Sequence, residues 1–162
     1  MNPKQIKLLN KINNIFIFKI GSILKLPLAF LTGLRILNFD SRESLVRVNY
    51  NYLNKNPFKS TYFAVLSMAA ELSTGLYALL HTTGLKPSCA FILIGMKANF
   101  IKKASGVTTF SCYDGEKIKT AVNKCAKENI PIKVNVKSRG NNEKGELIAE
   151  FEFIWSFKQR SN

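Results

Sequence analysis

Between Thr61 and Leu80 the chain runs for twenty residues with one charged side chain, Glu71. Val65, Met68 or Ala69, Leu72, Leu76 and Leu79 recur at helical spacing. Ser60 or Thr61 stands where an N-cap belongs, and Thr82-Thr83-Gly84 ends the run. Three, four and seven positions from Glu71 lie Ala64, Ser67, Met68, Thr74, Gly75 and Ala78. Small residues let a helix lie close to another backbone, so this face is expected to be covered. A carboxylate held there is desolvated, and its pKa should rise. Two roles follow from the residues: a structural group bonded to Ser67, Thr74 or nearby backbone, or a functional acid.

The flanking chain reads as strands. Ser44–Tyr52 alternates Val46, Val48 and Tyr50 against Leu45, Arg47 and Asn49, and Asn54-Lys55-Asn56-Pro57 is a loop. Ala90–Ile101 and Val107–Tyr113 are strand candidates with Ala104-Ser105-Gly106 as the turn between them. Asp114–Lys127 fits a turn followed by either a short strand or a helix. Ile130–Ser138 alternates, Arg139–Gly145 reads as a polar hairpin loop, and Glu146–Phe157 is a last strand whose Phe151, Phe153 and Trp155 read as sheet packing. Helix, strand, long helix and consecutive strands predict an α+β fold with one antiparallel sheet.

Lys and Arg number 24 against 10 Asp and Glu, a formal charge of +14. That favours an anionic partner: nucleic acid, an acidic membrane surface or a phosphate-bearing small molecule. No helix-turn-helix, zinc-finger or RNP1 pattern supports nucleic acid. Three separated cysteines, Cys89, Cys112 and Cys125, fit neither a zinc knuckle nor a disulfide framework and read as reduced thiols of a cytoplasmic protein. The single histidine, His81, has no HExxH or GxSxG around it, so no metal site is expected. At the end of the long helix it reads as a cation that complements the helix dipole. Lys133, Lys137 and Arg139 read as a solvated strand face.

Residues 1–39 form a separate amphipathic segment without an acidic side chain. Lys4, Lys7, Lys11 and Asn14 make a polar stripe opposite Ile6, Leu9, Ile12 and Phe16, in one helix ending near Pro27 or Gly33. The longest uncharged run, Leu26–Leu34, is nine residues, against about 20 needed to span a bilayer. A helix capping the core and a basic helix touching a membrane surface or gating an acyl pocket both remain open.

The stretch Asn54–Gly75, NKNPFKSTYFAVLSMAAELSTG, resembles the loop and central helix of the hotdog-fold thioesterase superfamily. In PaaI-like members an Asn is followed six residues on by His-Gly-Gly, and nine after that His by an Asp or Glu. Asn56, Tyr62-Phe63-Ala64 and Glu71 hold those positions here, so the motif matches by spacing while Tyr-Phe-Ala replaces His-Gly-Gly. Ala98–Gly106 (ANFIKKASG) and Gly145–Lys158 (GELIAEFEFIWSFK) are similar to later strands of the family, and the likeness covers roughly residues 40–158, a hotdog domain.

The resemblance implies an antiparallel sheet wrapped around a long central helix, and a homodimer, with pairing to a tetramer open, that carries its sites at the interface. It implies an acyl-CoA thioesterase in which Glu71 is the base, the Phe63 amide polarises the thioester carbonyl and Asn56 orients water or carbonyl. Tyr62, Ala64, Ser67 and Thr74 would line the acyl site, and Lys102 and Lys103 would meet phosphates of coenzyme A, present only as part of the substrate. The rival expectation is a hotdog protein that binds acyl groups or lipid without hydrolysis.

Overall fold

The computed structural model describes Met1–Arg160. Three helices open the chain: α1 (Pro3–Asn13), α2 (Ile15–Lys25) and α3 (Pro27–Leu31). They are followed by β1 (Arg35–Phe39), β2 (Ser44–Asn49), α4 (Phe63–Thr82), β3 (Cys89–Phe100), β4 (Val107–Cys112), α5 (Gly115–Glu128), β5 (Ile132–Asn142) and β6 (Leu147–Gln159). The strands make one sheet in the order β1-β2-β4-β5-β6-β3, with every neighbouring pair antiparallel. This is the expected α+β arrangement, an antiparallel sheet wrapped around a long central helix.

Alternation decides which side of each strand faces α4. Phe151, Phe153, Trp155 and Phe157 of β6 point inward with Val46 and Val48 of β2 and Phe110 of β4, all buried. The outward side carries ion pairs from β5 to β6, Lys137 to Glu152 at 2.9 Å and Arg139 to Glu150 at 2.6 Å. Solvent screens such surface pairs so that they add little, and the inner face holds the sheet on the helix. Polar ties fix the rotation of α4: Ser73 and Ser138 share a buried hydrogen bond of 2.8 Å, and Trp155 Nε1 donates to Thr74 Oγ1 at 3.1 Å. Among the described residues α4 alone is long and apolar enough to cross a membrane, and most of it is buried here against the sheet.

Several boundaries differ from the sequence reading. The N-terminal segment is three helices, not one, because Asn14 ends α1 and caps α2 by accepting from Ile17 N at 3.1 Å. Pro27 then disfavours helical backbone at Leu26, which ends α2. The sheet also starts inside that segment. β1 pairs with β2, and Asn13 bonds both polar groups of Phe39 on the open edge, at 2.7 and 3.0 Å. Asp114–Lys127 resolves as helix α5, with Ile118, Ala121, Val122 and Cys125 on one buried face. β5 runs on to Asn142, through residues read as loop. Ala104-Ser105-Gly106 joins β3 to β4, which β5 and β6 separate in the sheet, so the two strands form no hairpin. All three cysteines are free and buried.

Candidate functional site

The start of α4 is clamped between two loops. Thr61 N donates to the carbonyl of Ala104 at 2.8 Å, and Tyr62 N donates to that of Asn54 at 2.7 Å. The N-cap is therefore Tyr62, without a side-chain bond, and not Ser60 or Thr61. Ser60 is taken up by the Asn56 turn. Val65 and Leu66 both donate to the carbonyl of Tyr62, and no acceptor among the described residues takes the amides of Phe63 and Ala64. Free amides at the start of a long helix favour negative charge. Phe63 lines a cavity of about 580 Å³ together with Asn56, Phe58, Tyr62, Phe100, Lys102 and Lys103.

Asn56, Tyr62, Phe63, Lys102 and Lys103 thus come together at one cavity. Asn56 is largely committed to its own loop: Oδ1 accepts from Phe58 N at 2.9 Å and Ser60 N at 3.1 Å, and Nδ2 donates to Ser60 Oγ at 3.0 Å. Lys102 is held by Glu146 at 2.6 Å, while Lys103 makes no ion pair among the described residues. Phe100 and Phe58 complete the lining, and Phe100 packs edge-on to Phe63 at 6.3 Å. The sequence signal for Phe100 was the aromatic just before the lysine pair.

Glu71 does not line this cavity. It sits on the outward stripe of α4 with Ala64, Ser67, Met68 and Gly75, a stripe that is half-buried in the single chain. Ser67 spends its hydroxyl on the carbonyl of Phe63 at 2.9 Å. Thr74 does not join that stripe: it is fully buried, donates to the backbone carbonyl of Glu71 at 3.0 Å and accepts from Trp155. Neither hydroxyl serves the Glu71 carboxylate, which has no hydrogen-bond or ion-pair partner among the described residues. Burial alone holds this carboxyl above the usual carboxylate range. Gly75 makes the space for it, since a Cβ there would lie 2.9 Å from Glu71 Oε1 and 3.4 Å from the Trp155 ring.

His81 is no helix-capping cation. Burial pushes its imidazole down to about 4, with the Lys119 ammonium acting in the same direction. Its ring stacks on Tyr77 at 6.2 Å. The unfolded chain takes up this proton near pH 6.5 and the folded chain only near 4. Between those values the unfolded state binds more protons, so stability falls as pH drops through the window. Melting followed from pH 7 to 4.5 should show a loss of about 1–2 kcal/mol attributable to this residue, a figure reduced for partial solvent screening. His81→Gln should flatten that part of the curve; an unchanged slope would exclude His81 as its source.

No family model and no curated protein matches the sequence. Solved structures do match it in shape. One is a Pseudomonas aeruginosa protein named a probable thioesterase, 19% identical, with 99% of each chain covered and a TM-score of 0.72. A Chlorobaculum tepidum protein of unknown function is 14% identical, with 96% of this chain and 94% of that one covered and a TM-score of 0.75. A Haemophilus influenzae thioesterase is 11% identical, with 86% and 88% covered and a TM-score of 0.61. At these identities the likeness speaks for architecture, and it takes in the N-terminal helices as well as the sheet. The wrapped central helix and the shape shared with thioesterase structures over nearly the whole chain make this a hotdog-fold protein.

Proposed function

We propose that the chain hydrolyses an acyl thioester of the acyl-CoA class, at a site completed by a second copy of itself. The observation that carries this reading is Glu71: the one acid on a long apolar helix, half-buried, raised in pKa by burial and without a hydrogen-bond or ion-pair partner among the described residues. Such a group is suited to take a proton from water near neutral pH. The free amides of Phe63 and Ala64 are suited to the oxyanion of the tetrahedral intermediate. Glu71 and Phe63 are eight residues apart, about 12 Å along one helix, too far for both to act on one carbonyl. A second copy related by a two-fold axis solves this, because its carboxylate meets the first copy's amides.

The edge strand β3 supports that assembly. It is twelve residues long, ends the sheet and exposes Ile92, Ile94 and Met96. A long apolar edge of this kind invites pairing with another strand. In the reaction Glu71 accepts a proton from water as the hydroxide attacks the carbonyl carbon. The intermediate then collapses, the C–S bond breaks and the coenzyme A sulfur leaves, taking the proton back from Glu71 and restoring the carboxylate. Lys103 is the lysine free for a phosphate, whereas Lys102 is already paired. Asn56 contributes by holding the loop that sets the cavity wall.

Thiol release from short, long and aromatic acyl-CoAs tests the activity. Turnover on at least one of them is expected. No turnover on any, with a thermal shift on adding acyl-CoA or fatty acid, would instead establish a non-catalytic acyl binder. Replacing Ile92 and Met96 together by Lys should give a folded monomer by sedimentation, with turnover at least about 100-fold lower for want of the second carboxylate. A fully active monomer would refute the shared site.

A further inference from the structure

Helix α2 is inverted with respect to the protein it belongs to. Its one buried residue is Ser22, 5% exposed, whereas Phe16 and Leu24 are each 78% exposed and Ile20 is 62% exposed. At 100° per residue, Phe16, Ile20, Ile23 and Leu24 fall within an arc of about 100°, a continuous apolar stripe. α3, which follows α2 directly, exposes Leu28 and Leu31 as well. This surface is larger and more clustered than the scattered apolar residues of an ordinary protein surface, so it marks a contact site.

Its surroundings state the chemistry of the contact. Lys19 borders the stripe, with its ammonium over the Phe30 ring at 5.9 Å, and Lys25 ends α2. Beside Ile17, between α1 and α2, lies a second cavity of about 560 Å³, lined by Ile6, Lys7, Asn10, Lys11 and Asn14. Residues 1–39 contain no acid, and none of Lys7, Lys11, Lys19 or Lys25 makes an ion pair among the described residues. A second copy docked here about a two-fold axis would set these uncompensated lysines against each other. An anionic bilayer satisfies both parts: phosphates meet the lysines while the apolar stripe enters the acyl boundary.

We infer that the outward face of α2 and α3, with the Lys7–Lys11 groove beside it, docks the protein on the surface of an anionic lipid bilayer. The helices lie in the interface plane; α2 has eleven residues and does not cross the membrane. The inference is independent of the thioesterase reading, because it uses no residue of that site.

The test is co-sedimentation of the full chain with vesicles of phosphatidylcholine alone, or of phosphatidylcholine with about one-third phosphatidylglycerol, at low and high salt. Binding to the anionic vesicles is expected to be at least about tenfold tighter than to the neutral ones and to weaken with salt. Phe16→Asp combined with Leu24→Asp, and separately Lys7→Glu combined with Lys11→Glu, should each lose at least about tenfold of that binding. All four side chains are exposed, so both variants should keep the parent's melting temperature and its turnover of a soluble acyl-CoA. Absence of vesicle binding by the parent, or equal binding by the variants, would overturn the inference. So would a mass by light scattering, without vesicles, that falls in the Phe16→Asp, Leu24→Asp variant, because a second copy would then cover this face.

Discussion

Replacing Glu71 by Gln is expected to lower thioester turnover by at least about 100-fold, the usual contribution of a general base. It is also expected to raise the melting temperature at pH 7. The two changes come from one cause. Burial raises the carboxyl's pKa, so the folded protein carries a desolvation penalty whenever this group is ionised, and the neutral amide of Gln removes it. The sign follows from linkage. A carboxyl with a raised folded pKa penalises the fold above that pKa, and the penalty is relieved as pH falls through it. The stability gain of Glu71→Gln should therefore be largest at neutral pH and shrink toward pH 4. Turnover and thermal melts of parent and variant across pH 4–8 check both parts. A variant that keeps its turnover would remove Glu71 as the base. A variant destabilised at pH 7 would mean that the carboxylate has a stabilising partner.

The largest loss of stability is expected from Gly140→Ala in β5. A Cβ at this position would lie 2.5 Å from Cε1 and 2.7 Å from Cζ of Phe110, whose ring is fully buried against Phe151 at a centroid distance of 5.7 Å. The ring has no free direction in which to move, so one methyl group overpacks the core. We expect a cost of about 3 kcal/mol, a drop in Tm of roughly 6–12 °C for a chain of this size. Gly106→Ala is the control, since nothing lies within 4 Å of its added Cβ; it should stay within about 0.5 kcal/mol of the parent. Phe110→Leu shrinks the ring's demand, so the double variant with Gly140→Ala should lose less than the two single losses added together. An additive double variant would show that the ring is not the obstacle.

Helix α4 and most of the sheet were legible in the sequence because their signals are local. Twenty nearly uncharged residues can only be a covered helix, and the alternation in β2, β5 and β6 fixes which side of each strand is apolar. Glu71 stood out for the same reason, as the one charge in an apolar segment. The pairing of the strands left no such trace. Ala104-Ser105-Gly106 reads as the turn between two strands, yet β5 and β6 lie between β3 and β4 in the sheet. β1 is five residues long and is held by β2 and by the Asn13 side chain, partners that no local pattern announces.

The site divides along the same line. The resemblance to the hotdog thioesterases singled out Asn56, Phe63 and Glu71, but the surroundings of each depend on contacts distant in the chain. Thr74 shares helical spacing with Glu71, and Trp155, eighty-one residues away, draws it into the core instead. His81 reads as a cation at the helix end, and burial instead keeps its imidazole neutral down to about pH 4. The N-terminal segment gives the clearest case. Composition determined that it is basic and amphipathic, since periodicity and charge are properties of neighbouring residues. Which way each helix points was decided only in three dimensions. Asn14 breaks the segment, α1 turns Ile12 into the core, and α2 turns Ser22 in and Phe16 out. Local sequence fixes the period of a helix; its rotation about its own axis is fixed by what packs against it.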